Sequence, residues 1–296
     1  MNGYRSGFIT IVGCPNVGKS TLINALVGQK IAIVSEKAQT TRNKVTGVLS
    51  RPGYQMIFLD TPGVMRPKNK LGEYMQKVVS DSLTETEAIL FVADPTMGLL
   101  DRDKDLLSQF TKLRTPLFIA INKTDIASKA QLEDMITSLT EYVKESSVLK
   151  VSAKTLDGVD RLEKELLTAL PEGPQYFPDD MVTDQPERII CGEIVREKAL
   201  QLLRDEVPHG IGVGVDKMEL RDSGELMDVW CTIYCERESH KGIIIGRGGS
   251  MLKKIGSEAR KDIEWLLGVR VNLQLWIKIK DDWRNKPAIL HELGYE

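Results

Sequence analysis

Apolar residues follow two different rhythms along this chain. Over roughly the first 170 positions, short apolar runs alternate with stretches where apolar residues recur every three or four positions. The runs predict strands at 7–12, 44–50, 55–59, 88–93, 116–121 and 148–151. Pro52-Gly53 separates the second and third and predicts an antiparallel hairpin there. Between other runs lie helical spacings such as Leu71, Met75, Val78, Val79 and Ser82. Strand alternating with helix predicts an α/β domain, a mostly parallel six-stranded sheet with helices on both faces. Such sheets bind ligands beyond the carboxyl ends of their strands.

The rhythm breaks at Pro171, Gly173, Pro174, Pro178 and Pro186, with Asp179, Asp180 and Asp184 among them. A stretch of this kind continues neither a helix nor a central strand. The expected division is a first domain over 1–172, a Pro/Asp-rich linker over 173–187, and a second domain over 188–296. The second is α+β. A helix over 187–206 carries Cys191, Ile194, Val195, Ala199, Leu202 and Leu203. Strands at 212–220 and 226–236 are joined by a turn around Asp222-Ser223-Gly224. Gly242-Ile243-Ile244-Ile245 then leads into Gly246-Arg247-Gly248-Gly249, a helix with Leu252, Ile255, Ala259, Ile263 and Leu266, and a closing strand at 270–280.

Composition narrows the class without deciding it. The 296 residues are 42% hydrophobic and 28% charged with net charge −2, ordinary for a soluble protein. No apolar run approaches the roughly 20 residues of a membrane-spanning helix, and no signal peptide is expected. Cys14, Cys191, Cys231 and Cys235 match no zinc spacing and read as buried thiols in a reducing cytoplasm. His209, His240 and His291 stand apart from one another, which favours solvated or structural roles.

The chemistry lies in short motifs at predicted strand ends. Gly13-Cys14-Pro15-Asn16-Val17-Gly18-Lys19-Ser20 fits the phosphate-loop pattern and runs through Thr21 into a helix. Its glycines let backbone N–H groups face phosphate oxygens, and the helix adds its positive end. Lys19 reaches the β- and γ-phosphates, and Ser20 offers a hydroxyl to Mg²⁺. Asp60-Thr61-Pro62-Gly63 follows a strand; Asp60 can hold Mg²⁺ through water, and the Gly63 N–H can report the γ-phosphate. Asn122-Lys123-Thr124-Asp125 supplies a carboxylate that can accept from guanine N1–H and the 2-amino group, an arrangement adenine lacks. Lys123 would lie along the base, and Asn122 would tie this loop to the phosphate loop. Ser152-Ala153-Lys154 closes the site, with the Ala153 N–H expected at guanine O6. Of Thr40-Thr41-Arg42, Thr41 is the preferred Mg²⁺ ligand, and 40–42 with 63–70 are the expected nucleotide-dependent switches. GTP or GDP with Mg²⁺ is therefore the expected ligand, and the activity a GTPase. Val64 stands where small signalling GTPases carry a water-orienting glutamine, so intrinsic hydrolysis is expected to be slow. Asn16 could help hold a monovalent cation such as K⁺ beside the phosphates.

In the second domain the G-x-x-G of Gly246–Gly249 suits close approach to a nucleic-acid backbone, in the manner of a KH domain. From Ser239 to Lys280 there are nine Lys/Arg (Lys241, Arg247, Lys253, Lys254, Arg260, Lys261, Arg270, Lys278 and Lys280) against three acids (Glu258, Asp262 and Glu264), a local charge of +6. That asymmetry favours a polyanionic partner, with Lys241, Gly246, Arg247, Gly248, Gly249, Lys253 and Lys254 as expected RNA contacts. Trp265, Trp276 and Trp283 could stack on bases, although buried packing is the favoured reading for Trp265 and Trp276.

GTPase motifs followed by a C-terminal KH domain resemble the Era family of bacterial ribosome-assembly GTPases, over nearly all of the chain. The resemblance implies a type II KH domain, ordered helix–strand–strand–helix–helix–strand. It implies binding near the 3′ end of 16S ribosomal RNA during 30S subunit assembly. It also implies an apolar residue in place of the catalytic glutamine, as at Val64, and potassium use through the position of Asn16. A cytoplasmic monomer is expected, with peripheral association with the inner membrane suggested by the family alone. Two rivals stay open: an RNA-binding assembly scaffold with GTP as a structural ligand, and a membrane-associated regulatory GTPase.

Overall fold

The computed structural model describes residues 3–35, 37, 40–64, 67–84, 86–144, 147–222 and 224–295. Met65 and Arg66 of the expected second switch, and Ser223 of the expected turn, lie outside them. The chain forms two compact units. One comprises Met1–Ala32, Thr41–Arg66 and Met75–Asp184; the other comprises Ile33–Thr40, Pro67–Tyr74 and Gln185–Glu296.

The first unit holds a six-stranded sheet ordered β2-β3-β1-β4-β5-β6. Its strands are β1 (Arg5–Val12), β2 (Val45–Arg51), β3 (Tyr54–Asp60), β4 (Ala88–Ala93), β5 (Leu117–Ile121) and β6 (Val148–Lys150). The β2–β3 hairpin is antiparallel, and every other pairing is parallel. Strand β4 shows why this sequence makes a central strand. All six of its residues are buried, and successive side chains point to opposite faces. Ala88, Leu90 and Val92 join one apolar cluster, while Ile89, Phe91 and Ala93 join the other. Helices α1 (Lys19–Val27) and α5 (Val159–Leu167) supply the first cluster; α3 (Asp101–Phe110) and α4 (Lys129–Leu139) supply the second. Helix α2 (Lys70–Ser82) buries Leu71, Met75, Val79 and Ser82 at helical spacing.

The Pro/Asp-rich stretch packs against this sheet. The Ser6 N–H donates to Pro171 O (3.2 Å), Gly173 N–H to Tyr4 O (2.9 Å), and Val48 N–H to Val182 O (2.8 Å). Gln55, fully buried, fixes the middle of the strap: its Oε1 accepts from the N–H groups of Tyr176 (2.9 Å) and Phe177 (3.0 Å), and its Nε2 donates to Phe177 O (2.9 Å). Tyr176 meets Phe8 edge-on, with centroids 5.2 Å apart.

The second unit is ordered α6 (Glu187–Leu202), β7 (Gly212–Leu220), β8 (Leu226–Cys235), α7 (Glu238–Ile245), α8 (Ser250–Leu267) and β9 (Arg270–Ile279), followed by α9 (Pro287–Glu292). This is the type II KH order. Strands β7 and β8 are antiparallel, and β8 and β9 parallel. Val229, Cys231, Ile233 and Cys235, alternating on β8, pack with Cys191, Ile194 and Ala199 of α6 and Ile255, Ala259 and Ile263 of α8. All four cysteines are buried and free. In the same unit, Glu197 of α6 accepts from Val34 N–H (2.8 Å), Gln201 Nε2 donates to Val34 O (3.0 Å), and Arg196 donates to Thr40 O.

The tryptophans correct one expectation. Trp265 and Trp276 are 66% and 45% exposed and belong to no core. Trp265 falls on the solvent side of α8, and Trp276 alternates away from the helix-covered face of β9. Trp283 is the buried one, its Nε1–H donating to Gly210 O (2.9 Å).

Gln55→Leu should leave the amides of Tyr176 and Phe177 without their acceptor, at a cost of about 2–4 kcal/mol. Urea unfolding reads the loss, and amide exchange should quicken first at Tyr176 and Phe177.

Candidate functional site

Loops leaving the carboxyl ends of β1, β3, β5 and β6 carry the predicted nucleotide motifs. The first turns under severe steric constraint. Gly13 has φ 150° and Gly18 φ 96°, and a Cβ would sit 2.5 Å from Val92 O at Gly13 or 2.3 Å from Asn122 Nδ2 at Gly18. Asn16 between them is left-handed, φ 67°. Lys19 and Ser20 open α1, followed by Thr21, so the positive end of the helix faces the loop. Lys19 is buried, its Nζ donating to the carbonyls of Gly13 (3.1 Å) and Cys14 (3.2 Å). Burial pushes the Cys14 thiol up to about 12, which keeps it neutral and unreactive. Val17 belongs to the core. Pro15 abuts Gly63, where a Cβ would come within 2.9 Å of Pro15 Cα.

Three oxygen-bearing side chains converge beside this loop. Ser20 Oγ lies 2.8 Å from Thr41 Oγ1 and donates to Asp60 Oδ2 at 2.8 Å; Thr41 Oγ1 donates to the same oxygen at 3.3 Å. Asp60 is fully buried, and its Oδ1 has no hydrogen-bond partner. An orphaned carboxylate oxygen beside two hydroxyls fits a hard divalent cation that takes oxygen ligands, such as Mg²⁺. Burial raises the Asp60 carboxyl above its ordinary range, opposed by Lys19. Of the two threonines, Thr41 faces this cluster, while the Thr40 hydroxyl donates to Lys37 O (2.6 Å). Thr61 turns away, donating to Ile11 O (2.7 Å), and Pro62 is buried beside it. Val64 donates its N–H to Gly13 O (3.3 Å) and packs its side chain against the second apolar cluster.

The base-reading motif is wired to the phosphate loop. Asn122 Nδ2 donates to Val17 O (3.0 Å), and Lys123 Nζ donates to Asn16 O (2.7 Å). Thr124 N–H reaches Val151 O (3.3 Å). Ser152 Oγ donates to Asp125 Oδ1 (2.8 Å) and accepts from Thr155 N–H (3.2 Å), which fixes the direction of the carboxylate. The Ala153 N–H, the group expected at guanine O6, donates to Asn122 Oδ1 at 3.0 Å. The Asn122 side chain needs an acceptor's partner once its amide faces Val17, and Ala153 provides it. Lys154 is exposed. Sequence reasoning missed the Ser152 hydroxyl as the support of Asp125, because that role shows in no motif.

In the second unit the G-x-x-G joins α7 to α8. Gly246, Gly248 and Gly249 have φ 72°, 57° and 81°, a left-handed run that favours glycine. Added Cβ atoms at Gly248 and Gly249 would meet nothing within 4 Å, so backbone conformation rather than crowding demands glycine there. Arg247, Lys253 and Lys254 are exposed, and Lys241 is half-buried.

The raised Asp60 carboxyl sets a pH dependence. Cation binding requires its charged form, so Mg²⁺ affinity should fall as pH drops through that raised pKa, by up to about tenfold per unit. Asp60→Asn should bind Mg²⁺ weakly and abolish that slope in titrations of the nucleotide-loaded protein.

Comparison with known proteins identifies the family. A family model described as 50S ribosome-binding GTPase matches residues 8–123, and a KH domain model matches 206–284. GTPase Era of Alkaliphilus metalliredigens is 50% identical over 293 residues, covering 99% of each chain. GTPase Era of Ruminiclostridium cellulolyticum is 48% identical over 293 residues, covering 99% of this chain and 98% of that one. A crystal structure of Era in complex with MgGDPNP and nucleotides 1506–1542 of 16S ribosomal RNA superposes with TM-score 0.94 at 41% identity, covering 99% of both chains. A variant Era of Aquifex aeolicus bound to GDP and AlF4⁻ gives 0.93 at 41% identity, over 98% of this chain and 99% of that one. With both sets of motifs in place on both units, the chain belongs to the Era family of GTPases.

Proposed function

We propose that this chain binds GTP and Mg²⁺ on the loops after β1, β3, β5 and β6, hydrolyses GTP slowly, and binds the 3′ region of 16S ribosomal RNA through its KH domain during 30S assembly. The observation that carries the nucleotide half is the buried, unpartnered Asp60 Oδ1 beside the hydroxyls of Ser20 and Thr41. The relative solved with MgGDPNP and 16S RNA supports the assignment of both ligands.

In this reading the amides of the loop 13–20 and the α1 N-terminus receive the phosphates, and Lys19 exchanges its loop carbonyls for phosphate oxygens. Asp125, steadied by Ser152, reads the guanine edge. Asn122 and Lys123 keep the base loop against the phosphate loop. Ser20, Thr41 and Asp60 would hold Mg²⁺, which neutralises phosphate charge during transfer. Val64 contributes no polar side chain, so water must be oriented by other groups. Asn16, exposed at the loop crest, is the residue assigned to a K⁺ ion.

Residues 33–40, which end one position before Thr41, belong to the KH-containing unit. That membership supports reciprocal coupling of nucleotide and RNA binding, with equal effects in both directions. The boundary between the two halves is taken at Asp184, inside the stretch 173–187 expected as linker; a monomeric state, a cytoplasmic location and peripheral membrane association rest on the sequence reading. Among the described residues no helix is long and apolar enough to cross a membrane.

The testing experiment is calorimetry of the full chain with GTP, ATP and a 16S 3′-end oligonucleotide. GTP and the oligonucleotide should bind and ATP should not. Removing both charges at Lys253 and Lys254 should weaken RNA binding and lower the slope of log K against log salt by up to about 1.4, the single-strand value for two phosphates. Hydrolysis should run faster in potassium than in sodium salts, and Asn16→Ala should erase the difference.

A further inference from the structure

Asp94 belongs to no motif, yet it is buried to 3% exposure immediately after β4. Its Oδ1 accepts from the N–H (2.9 Å) and the hydroxyl (2.7 Å) of Thr96. Its Oδ2 lies 2.7 Å from Lys123 Nζ. That ammonium also donates to Asn16 O at 2.7 Å. Both residues joined through it have left-handed backbones, φ 60° at Lys123 and 67° at Asn16. Residues with side chains keep such conformations only where the surroundings impose them. One ammonium therefore ties two strained positions, on the base loop and on the phosphate loop, and a buried carboxylate fixes the ammonium.

We propose that Asp94 is a positioning residue for guanine-nucleotide binding. Its carboxylate holds Lys123 Nζ on the Asn16 carbonyl, so the stem of Lys123 is presented to the base in one conformation and the two loops are joined before nucleotide arrives. Without that anion the ammonium is free to leave the loop for water, and binding must then order Lys123 as well as the ligand. A purely structural staple between β4 and the loop after β5 would be redundant, because Asn122 N–H already donates to Ala93 O at 2.8 Å. The inference rests on the reading that Asp125 and the loop 13–20 bind GTP.

The test uses the full chain and the nearly isosteric Asp94→Asn, with GDP binding by calorimetry and steady-state GTP hydrolysis. The expected result is a dissociation constant and KM raised about tenfold, as for a lost charge-assisted hydrogen bond, with kcat changed less than about twofold. Asp94 acts through Lys123, so in a Lys123→Met background the same substitution should add less than about twofold. Unchanged GDP affinity in Asp94→Asn, or full additivity in the double variant, overturns the proposal. Should Asp94→Asn fail to fold, Thr96→Val loosens the same carboxylate from its other side. A weakening of about threefold is then expected, and none overturns the assignment. If the unaltered protein takes up no GDP, the reading of the whole site falls with it; normal uptake with no effect of Asp94 removes this inference alone.

Discussion

A carboxylate buried with one oxygen unsatisfied is costly, and the first unit is built around one. Asp60 ends β3 at zero exposure, with Oδ2 shared by two hydroxyls and Oδ1 unpaired. Such a group persists where a cation compensates it. The geometry around it follows from that constraint. Ser20 must sit at the start of α1, Thr41 must come back past the loop, and Gly63 must lack a Cβ to pass Pro15.

The same logic governs the base loop. Its side chains hold one another in place. Asn122 spans Val17 and Ala153, and Ser152 restrains Asp125. Pre-ordered groups lose less freedom on binding, which favours affinity and discrimination together.

Much of this was legible in the residues, for identifiable reasons. Strand β4 is uninterruptedly apolar, and its predicted limits coincide with the observed ones. The strands at 212–220 and 226–236 and the helix after the G-x-x-G were read from period and glycine placement, whereas the helix before it, Glu238–Ile245, entered only through the KH resemblance. Tertiary facts were hidden. Trp265 and Trp276 look like core residues by chemistry, but their positions on α8 and β9 point them outward. The hydrogen bond from the Ala153 N–H to Asn122 Oδ1 depends on which way the Asn122 amide lies, which no motif shows. Asp94 is invisible in sequence because its partner lies 29 positions away, across a helix and a strand.

The proline-rich strap alters where this protein divides. Prolines suggest a dispensable tether, but the Val182 carbonyl accepts a backbone hydrogen bond from Val48 of β2, and Gln55 has its amide enclosed by Tyr176 and Phe177. A GTPase half truncated at Leu170 would strip that cover from the sheet and leave the Gln55 amide in search of partners. One ending at Asp184 would retain it, so the separable piece is longer than its composition suggests.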